Sequence, residues 1–295
     1  MRKTIFAAGY FGYGNFGDEL ILALFTRRMK AWRVRHIPRM KTKPLSLITS
    51  IANADAVVFP GGSVFQDETS SLSLLFYSTV ICAAALLSKP VFLIDSGFEI
   101  RRSFNKAVLK QVLKLASFIS VRDGASYALL RSLGLRPFKS ADCAFSLQNF
   151  RCRKLVPPKT IGVIPRGKGR GLRDAIASCR RKWPGSEFKF AVLSPKDMPE
   201  ARHLAGGKDP ALIETLSQAE CFFAGCDFFI LMPYHSLVLA ELAGADYEAV
   251  AYSAKTMNFL QETGPVRNKR AELPRIAEEC AFQIFVNLLK DKLKP

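Results

Sequence analysis

The sequence predicts an α/β protein of two Rossmann-like domains whose parallel sheets face a central cleft. Three observations lead to this prediction. Apolar strand patterns alternate with helix patterns along the chain, which is typical of parallel sheets with helices on both faces. The alternation stops in a basic, proline-containing stretch at 147–159 and then starts again. A chain of 295 residues that is 49% hydrophobic can also fill two cores.

The first domain is expected to span 1–150 and begins with an apolar strand at 4–8. A loop follows with four glycines in nine residues, and it ends in Asp18-Glu19 at the start of a helix at about 18–30. Bare loop amides and the helix dipole would attract an anion there. A tight turn that needs glycine explains the same pattern. The glycine spacing matches neither the dinucleotide fingerprint nor the Walker loop.

Further elements alternate through the first domain. The predicted strands are 34–37, 56–59, 91–94 and 118–121, and the predicted helices are 72–88, 103–116 and one that ends at Leu133 before Gly134. Loops at 9–18, 60–67 and 95–101 fall at carboxyl ends of strands, where ligands bind in such sheets. The apolar stretch 72–87 is predicted to be a buried helix, because it is too short to span a membrane.

The second domain, 151–295, repeats this scheme. Its predicted strands are 160–164, 188–193, 227–232 and 247–251, and its predicted helices are 171–182, 198–205, 210–219, 236–243, 255–262 and 274–292. The last helix is expected to pack back on the N-terminal domain. Two such domains on either side of a cleft make the predicted fold GT-B-like.

Composition narrows the function classes. Lys and Arg total 43 against 25 Asp and Glu, a net charge of +18, which favours acidic partners. No nucleic-acid-binding motif appears, so no nucleic-acid partner is expected. Seven scattered cysteines without a CxxC pair predict reduced thiols, no metal site and a cytoplasmic protein. No signal peptide is expected, because the first apolar run is short.

Six stretches carry a family resemblance when they are taken together. They are GYFGYGNFGDE at 9–19, PGGSVFQDETS at 60–70, the segment 119–134 around Arg122-Asp123, DCAFSL at 142–147, MPYHSL at 232–237 and AYSAK at 251–255. In this order over nearly the whole chain, they resemble the polysaccharide pyruvyl transferase family, in particular its bacterial cell-surface (CsaB-type) branch.

The resemblance implies an enzyme that transfers pyruvate from phosphoenolpyruvate to a sugar as a ketal, without a cofactor. In that branch the acceptor is an N-acetylmannosamine-type sugar of a cell-wall polymer, and the ketal lets surface-layer proteins dock. The family usually has Arg-Leu-His where this chain has Pro233-Tyr234-His235. Arg166 lies where the family often carries an arginine after the first strand of the second domain.

The predicted catalytic residues are His235 and Arg166. His235 follows a strand and precedes a helix, where α/β sites form, and it would act as acid and base; the alternative is a histidine that only bonds the backbone at a helix start. Arg166 would hold the phosphate and carboxylate of the donor, or is a solvated charge. His36 and His203 are interpreted as surface residues.

The predicted substrate-binding residues come from the glycine-rich loops and the surroundings of His235. They are Gly14, Asn15, Gly17, Asp18, Gly61, Gly62, Ser63, Gln66, Asp67, Arg122, Lys168, Tyr234, Ser236 and Lys255. Structural alternatives stay open, since Asp18 and Asp67 could each cap a helix and Arg122 could form an interdomain salt bridge with Asp123. The N-terminal domain is expected on the acceptor side and the C-terminal domain on the donor side.

Basic clusters at 27–43 and 151–182 predict peripheral binding at the inner face of an anionic membrane, where a lipid-linked acceptor would lie. Two other functions stay open. One is a glycosyltransferase of the GT-B type that uses a sugar nucleotide. The other is a non-catalytic binding relative of the pyruvyl transferases, which the absence of arginine at Pro233 favours.

Overall fold

The computed structural model describes residues 2–36, 43–68, 71–148, 150–168, 171–263 and 272–294. The chain divides into two compact units. The first unit consists of Met1–Tyr13, Ile21–Ser146 and Leu273–Pro295, and the second consists of Gly14–Leu20 and Leu147–Glu272. The last helix thus belongs to the first unit, and part of the glycine-rich loop belongs to the second.

Each unit has its own sheet. The strands in chain order are β1 (Thr4–Ala7), β2 (Arg33–His36), β3 (Ala56–Phe59), β4 (Gly62–Gln66), β5 (Val91–Glu99), β6 (Phe118–Val121), β7 (Phe138–Lys139), β8 (Thr160–Ile164), β9 (Glu187–Val192), β10 (Ala211–Leu212), β11 (Phe228–Leu231) and β12 (Tyr247–Ala249). The first sheet has the order β2-β1-β3-β5-β6-β7, with β4 also paired to β5, and the second has the order β10-β9-β8-β11-β12. Every strand pair is parallel, as the alternating pattern predicts.

The helices connect these strands. In chain order they are α1 (Phe16–Arg28), α2 (Pro44–Ala52), α3 (Ser71–Leu86), α4 (Ser103–Leu113), α5 (Gly124–Ser132), α6 (Leu172–Lys182), α7 (Met198–Leu204), α8 (Leu216–Ala224), α9 (Tyr234–Ala243), α10 (Ala254–Thr263) and α11 (Glu272–Lys292). Among the described residues, no helix is both long and apolar enough to cross a membrane.

The first sheet is covered on both faces. On one face, Leu74 and Tyr77 of α3 and Leu109 of α4 pack against the strands in one buried cluster. On the other, Phe25 of α1 and Phe285 of α11 form a second cluster. Both faces of the strands are therefore apolar, which is why strands of this sheet appear in the sequence as continuous apolar runs. In the second unit, α6 packs on β8 and β11 through Leu172 and Ile176.

Each of the two sheets has its own hydrogen-bonded clasp at its amino-terminal edge, formed by a threonine and an aspartate. In the first sheet, Asp55 accepts from Thr4 N at 2.6 Å through Oδ2, and Asp55 N donates to Thr4 O at 2.8 Å. In the second sheet, Asp227 accepts from Thr160 N at 3.0 Å and donates from its backbone N to Thr160 O at 2.8 Å. Each clasp joins the first residue of one central strand to the residue that precedes the adjacent strand.

Three sequence predictions of secondary structure are wrong. The segment 60–67 is not wholly a loop, because 62–66 forms β4. The segment 95–101 is largely strand, since β5 continues to Glu99 and pairs with β4. The predicted helix at 210–219 is instead the short strand β10 followed by α8, which begins at a capping box formed by Thr215 and Gln218.

Candidate functional site

Several predicted site residues meet in the second unit, at the carboxyl ends of its parallel strands. Arg166 follows β8, the segment 193–197 follows β9, and Pro233 follows β11. Phe16 N, at the start of α1, donates to Leu193 O at 2.9 Å. This bond holds the beginning of α1 against the loop after β9, at the edge where α/β sheets bind ligands.

His235 lies directly against Gly17. A β-carbon built on Gly17 would lie 2.6 Å from His235 Cγ and closer still to Nδ1, so only glycine allows this approach. The imidazole is half-buried, and Nε2 is a buried atom. The Tyr234 ring stands perpendicular to the imidazole, with centroids 5.3 Å apart. The histidine is therefore held between a helix start and an aromatic ring.

The remaining loop residues of this unit build the start of α1. Asn15 donates from its side chain to Asp18 Oδ2, and Asn15 O accepts from the backbone N of Asp18 and of Glu19, both at 3.1 Å. Gly14 has φ +67°, a conformation that glycine adopts without strain. The Asn15 carbonyl thus accepts the first backbone bonds of α1. The Asp18 carboxylate bonds the Asn15 side chain and does not act as the helix cap.

Arg166 is held by a buried carboxylate. Arg166 Nη1 donates to Asp197 Oδ2 at 3.1 Å, and Gly167 N donates to Oδ1 of the same side chain at 2.9 Å. The Arg166 side chain is 36% exposed, whereas that of Asp197 is 5% exposed. Asp197 therefore orients the guanidinium while leaving the group open to solvent and to a ligand. Lys168, two residues further on, is exposed.

The other predicted residues near His235 have structural contacts. Ser236 is fully buried, and its hydroxyl donates to Pro233 O at 2.6 Å, which closes the start of α9. Tyr234 packs edge-on against Phe259 of α10, with centroids 5.3 Å apart. Lys255 is half-buried in the first turn of the same helix. The predicted neighbour Arg170 lies outside the described residues, as do Thr69 and Ser70.

Arg122 belongs to a separate cluster in the first unit. Its Nη1 donates to Asp142 Oδ2 at 2.9 Å, its Nη2 donates to Ser63 Oγ at 2.6 Å, and its Nε lies 3.6 Å from Asp123 Oδ2. The salt bridge with Asp123 is thus within one unit, so the interdomain alternative is wrong. Because the Arg122 side chain is 2% exposed, these carboxylates compensate the cost of its buried charge.

Asp67 caps a helix of the first unit. Its carboxylate accepts from Arg101 N, Arg102 N and Asn105 Nδ2, each at 2.9 Å. Burial acts to raise the pKa of Asp67, but these hydrogen bonds outweigh burial and lower the pKa. Nearby, Gly61 and Gly62 have φ of 132° and 82°, which glycine tolerates best. Gln66 ends β4 and accepts from Glu68 N at 2.9 Å.

Two buried carboxylates of the first unit have no counterpart in the sequence predictions. Asp95 is 1% exposed and Glu278 is fully buried. Burial, together with the negative charge of Glu278, raises the pKa of Asp95 well above its usual range. Burial raises the pKa of Glu278 to about 7, against the opposing effect of Arg28. The sequence feature that could have revealed Asp95 is an aspartate among the apolar residues of one strand. No group of three potential metal ligands occurs in the described part of the chain.

A comparison with protein-family models decides the family. The model for polysaccharide pyruvyl transferases matches residues 15–245. The chain belongs to the polysaccharide pyruvyl transferase family. The matched range contains Arg122, Arg166 and His235, while Lys255 lies beyond its end. The sequence resemblance to this family is thereby confirmed, and the chain is assigned to a family of transferases.

Solved structures support the fold of this pyruvyl transferase family member. The UDP-GlcNAc 2-epimerase of Neisseria meningitidis bound to UDP-GlcNAc has a TM-score of 0.53 at 13% identity, over 99% of this chain and 94% of that one. A putative UDP-N-acetylglucosamine 2-epimerase of Listeria monocytogenes has a TM-score of 0.52 at 15% identity, over 99% and 88%. The Rickettsia bellii 2-epimerase has a TM-score of 0.51 at 10% identity, over 99% and 98%. No curated protein sequence matches the chain.

These likenesses, at low identity, concern the fold alone. They agree with the two parallel sheets, and the predicted α/β, GT-B-like fold class is confirmed.

Proposed function

We propose that this protein transfers the pyruvyl group of phosphoenolpyruvate to two hydroxyls of a sugar, forming a ketal and releasing phosphate. The observation that carries the proposal is the position of His235 in the second unit. It is held against Gly17, at the same strand ends as the Arg166–Asp197 pair. An acid–base group and an orientated cation are what this reaction needs, and the family match supports the reaction class.

The chemistry assigns a task to each of these groups. Two carbon–oxygen bonds form at C2 of the donor, and the bond between C2 and the phosphate oxygen breaks. Of the two hydroxyl protons, one ends on the methylene carbon and the other leaves on phosphate, so no redox partner is needed. We assign the proton transfers to His235 and the binding of the donor phosphate or carboxylate to Arg166, whose planar fork suits both anions. Lys168 would add positive charge.

The acceptor is proposed to be a sugar of a cell-wall or cell-surface polysaccharide, or its lipid-linked precursor. The glycine-rich segment at 60–67 is assigned to the acceptor side, with the buried Arg122 holding Ser63 of this segment through Nη2. We propose that the protein acts at the cytoplasmic face of the membrane, where such precursors are anchored. Its net charge of +18 supports attraction to anionic lipid. The ketal product would serve as a docking group for surface-layer proteins.

The test is an assay with phosphoenolpyruvate and an acceptor that contains N-acetylmannosamine, following phosphate release and acceptor mass. His235→Ala should lower kcat by about 100-fold or more, because general acid–base catalysis contributes that much. Arg166→Ala should raise KM for phosphoenolpyruvate. His203→Ala and Arg173→Ala alter an exposed histidine and an exposed arginine of the same unit and should leave both constants unchanged. Full activity of both site variants would refute the assignment.

A sugar-nucleotide substrate is the second candidate. The Neisseria epimerase that shares the fold is bound to UDP-GlcNAc, and Pro233 stands where the family usually carries arginine. Under this alternative, UDP-GlcNAc raises the melting temperature and phosphoenolpyruvate does not. The opposite result favours pyruvyl transfer. A rise with phosphoenolpyruvate but no phosphate release with any acceptor would indicate a relative that binds the donor without catalysis.

A further inference from the structure

Two neighbouring cavities lie at the amino-terminal edge of the second sheet, at the opposite ends of the strands from His235. They measure about 820 Å³ and 500 Å³ and share Trp183, Pro184 and Ser186. The shared segment precedes β9, and the second cavity is also lined by the segment 155–159, which precedes β8. The two cavities therefore form one continuous surface, here called the Trp183 face.

Apolar groups project from the Trp183 face. Val156 is 92% exposed and Leu155 is 37% exposed. Trp183 between the cavities is half-buried and packs on Phe228, with ring centroids 4.9 Å apart. Because Leu155, Val156 and Trp183 line the same cavity, they form a contiguous apolar patch, which is typical of an interaction site, and tryptophan is enriched at membrane–water interfaces. The fold thus supports a rigid aromatic group next to a free aliphatic tip.

Positive charge surrounds these apolar groups. The basic residues that line the two cavities include Arg180, Lys159, Lys182, Lys189 and Lys208. Among the described residues that line them, the acid is Asp209, and its carboxylate pairs with Arg202 Nη2 at 2.6 Å. The Trp183 face is therefore strongly basic, in contrast to the end of α1, where Arg28 pairs with Glu278 and Glu279.

We propose that the Trp183 face docks on an anionic phospholipid bilayer, with Val156 and Leu155 inserted among the headgroups and the lysines facing lipid phosphates. This deepens the membrane association in the proposed function, on which it rests. A combination of exposed aliphatic groups and basic side chains matches an interface that is both apolar and anionic. A nucleic acid would bind the basic side chains but would not bury Val156. A lipid bilayer accounts for both the positive charge and the exposed aliphatic groups.

The experiment measures co-sedimentation of the full chain with vesicles of phosphatidylcholine alone, or with about one-third phosphatidylglycerol. The wild type should bind the anionic vesicles and lose binding as salt rises. Lys159→Glu should weaken binding by about 30-fold, because it changes two units of charge at the surface. Val156→Asp should weaken it by about 10-fold or more, since it removes the inserted group and adds a repelled charge. Thermal unfolding confirms that both variants are folded.

Matched controls come from the first unit. Leu86→Asp changes a side chain that is 87% exposed, and Lys114→Glu reverses an exposed charge at the end of α4; both should bind like the wild type. Equal binding to neutral and anionic vesicles, or unchanged binding by Val156→Asp, would overturn the proposal. So would a duplex DNA that binds with the same dependence on Lys159 while Val156→Asp has no effect.

Activity separates this inference from the reaction itself. Both Trp183-face variants should retain wild-type phosphate release with a water-soluble acceptor, because the altered residues lie at the opposite strand ends from His235. If no acceptor supports phosphate release but the vesicle results hold, the docking surface stands and the proposed reaction fails. If transfer succeeds and the vesicle results fail, only the docking surface is refuted.

Discussion

The contact between Gly17 and His235 can be tested by adding one carbon atom. Gly17→Ala places a β-carbon 2.6 Å from His235 Cγ, whereas ordinary van der Waals contact begins at 3.4 Å. Cγ must therefore retreat by 0.8 Å, and Nδ1 by more. A misplacement of about 1 Å at a reacting group can cost on the order of 100-fold in rate. We expect kcat to fall by about that factor if His235 carries the proton transfers.

The free energy of unfolding tests the same contact independently of activity. Overpacking in a well-packed site costs about 1–3 kcal/mol, so Gly17→Ala should lower the free energy of unfolding by that amount. Gly17 lies within α1, where alanine is favoured over glycine by up to about 1 kcal/mol. Once the imidazole is removed by His235→Ala, the alanine at position 17 should therefore stabilise the protein.

The assay is a double-mutant cycle with the wild type, the two single variants and the double variant. Denaturant unfolding gives the free energies, and phosphate release gives kcat. The expected result is a reversal in the sign of the Gly17→Ala effect between the two backgrounds. If the alanine has the same effect on stability with and without the imidazole, the inferred contact is wrong. If Gly17→Ala retains full kcat, the catalytic role of His235 is contradicted.

Three further predictions concern buried carboxylates. The pKa of Glu278 is about 7 in the fold and 4.5 ordinarily. Its contribution to the free energy of unfolding is therefore fully present below pH 4.5 and is lost as the pH rises towards 7, by on the order of 3 kcal/mol. Glu278→Gln should flatten this part of a plot of unfolding free energy against pH, and an unchanged slope contradicts the prediction. Asp67→Ala should lower the free energy of unfolding by about 1–3 kcal/mol at neutral pH. Because the pKa of Asp67 is lowered from 3.8, the difference between variant and wild type should shrink as the pH falls below that value. A difference that stays constant with pH would show that the ionised carboxylate does not stabilise the helix. Asp197→Ala frees Arg166, so KM for phosphoenolpyruvate should rise by about 10-fold with little change in kcat, and an unaltered KM would show that the pair does not serve the donor.

Sequence patterns predict the strands best where both faces of the strand are buried. The strands at 56–59, 118–121 and 160–164 were predicted to the residue, because continuous apolar runs there end at polar residues or proline. The segment 62–66 was missed because Pro60, Gly61 and Gly62 suggest a loop. Its strand character comes from pairing with β5, a long-range contact that local propensity does not encode. The helix at 44–52 was missed because it follows a basic run that suggests surface coil.

The candidate site was predicted in part. The position of His235 at a strand exit follows from the local strand–helix pattern, and α9 indeed begins beside it. Its contact with Gly17 joins two segments of the second unit that are far apart in the chain. A single sequence does not reveal such a contact. The same limit applies to the buried pair of Asp95 and Glu278, whose raised pKa values arise only when distant segments exclude water together.

The clasps at the start of the two sheets mark equivalent positions in the two units. Thr4 and Asp55 in one sheet correspond to Thr160 and Asp227 in the other, and the strand orders β2-β1-β3-β5 and β9-β8-β11-β12 also correspond. β1 and β8 therefore hold equivalent places in their sheets. The loop after β1, which is rich in glycine, is accordingly the counterpart of the loop after β8, which carries Arg166. At equivalent places in the two sheets, one strand thus leads into a glycine-rich turn and the other into an arginine that a carboxylate holds.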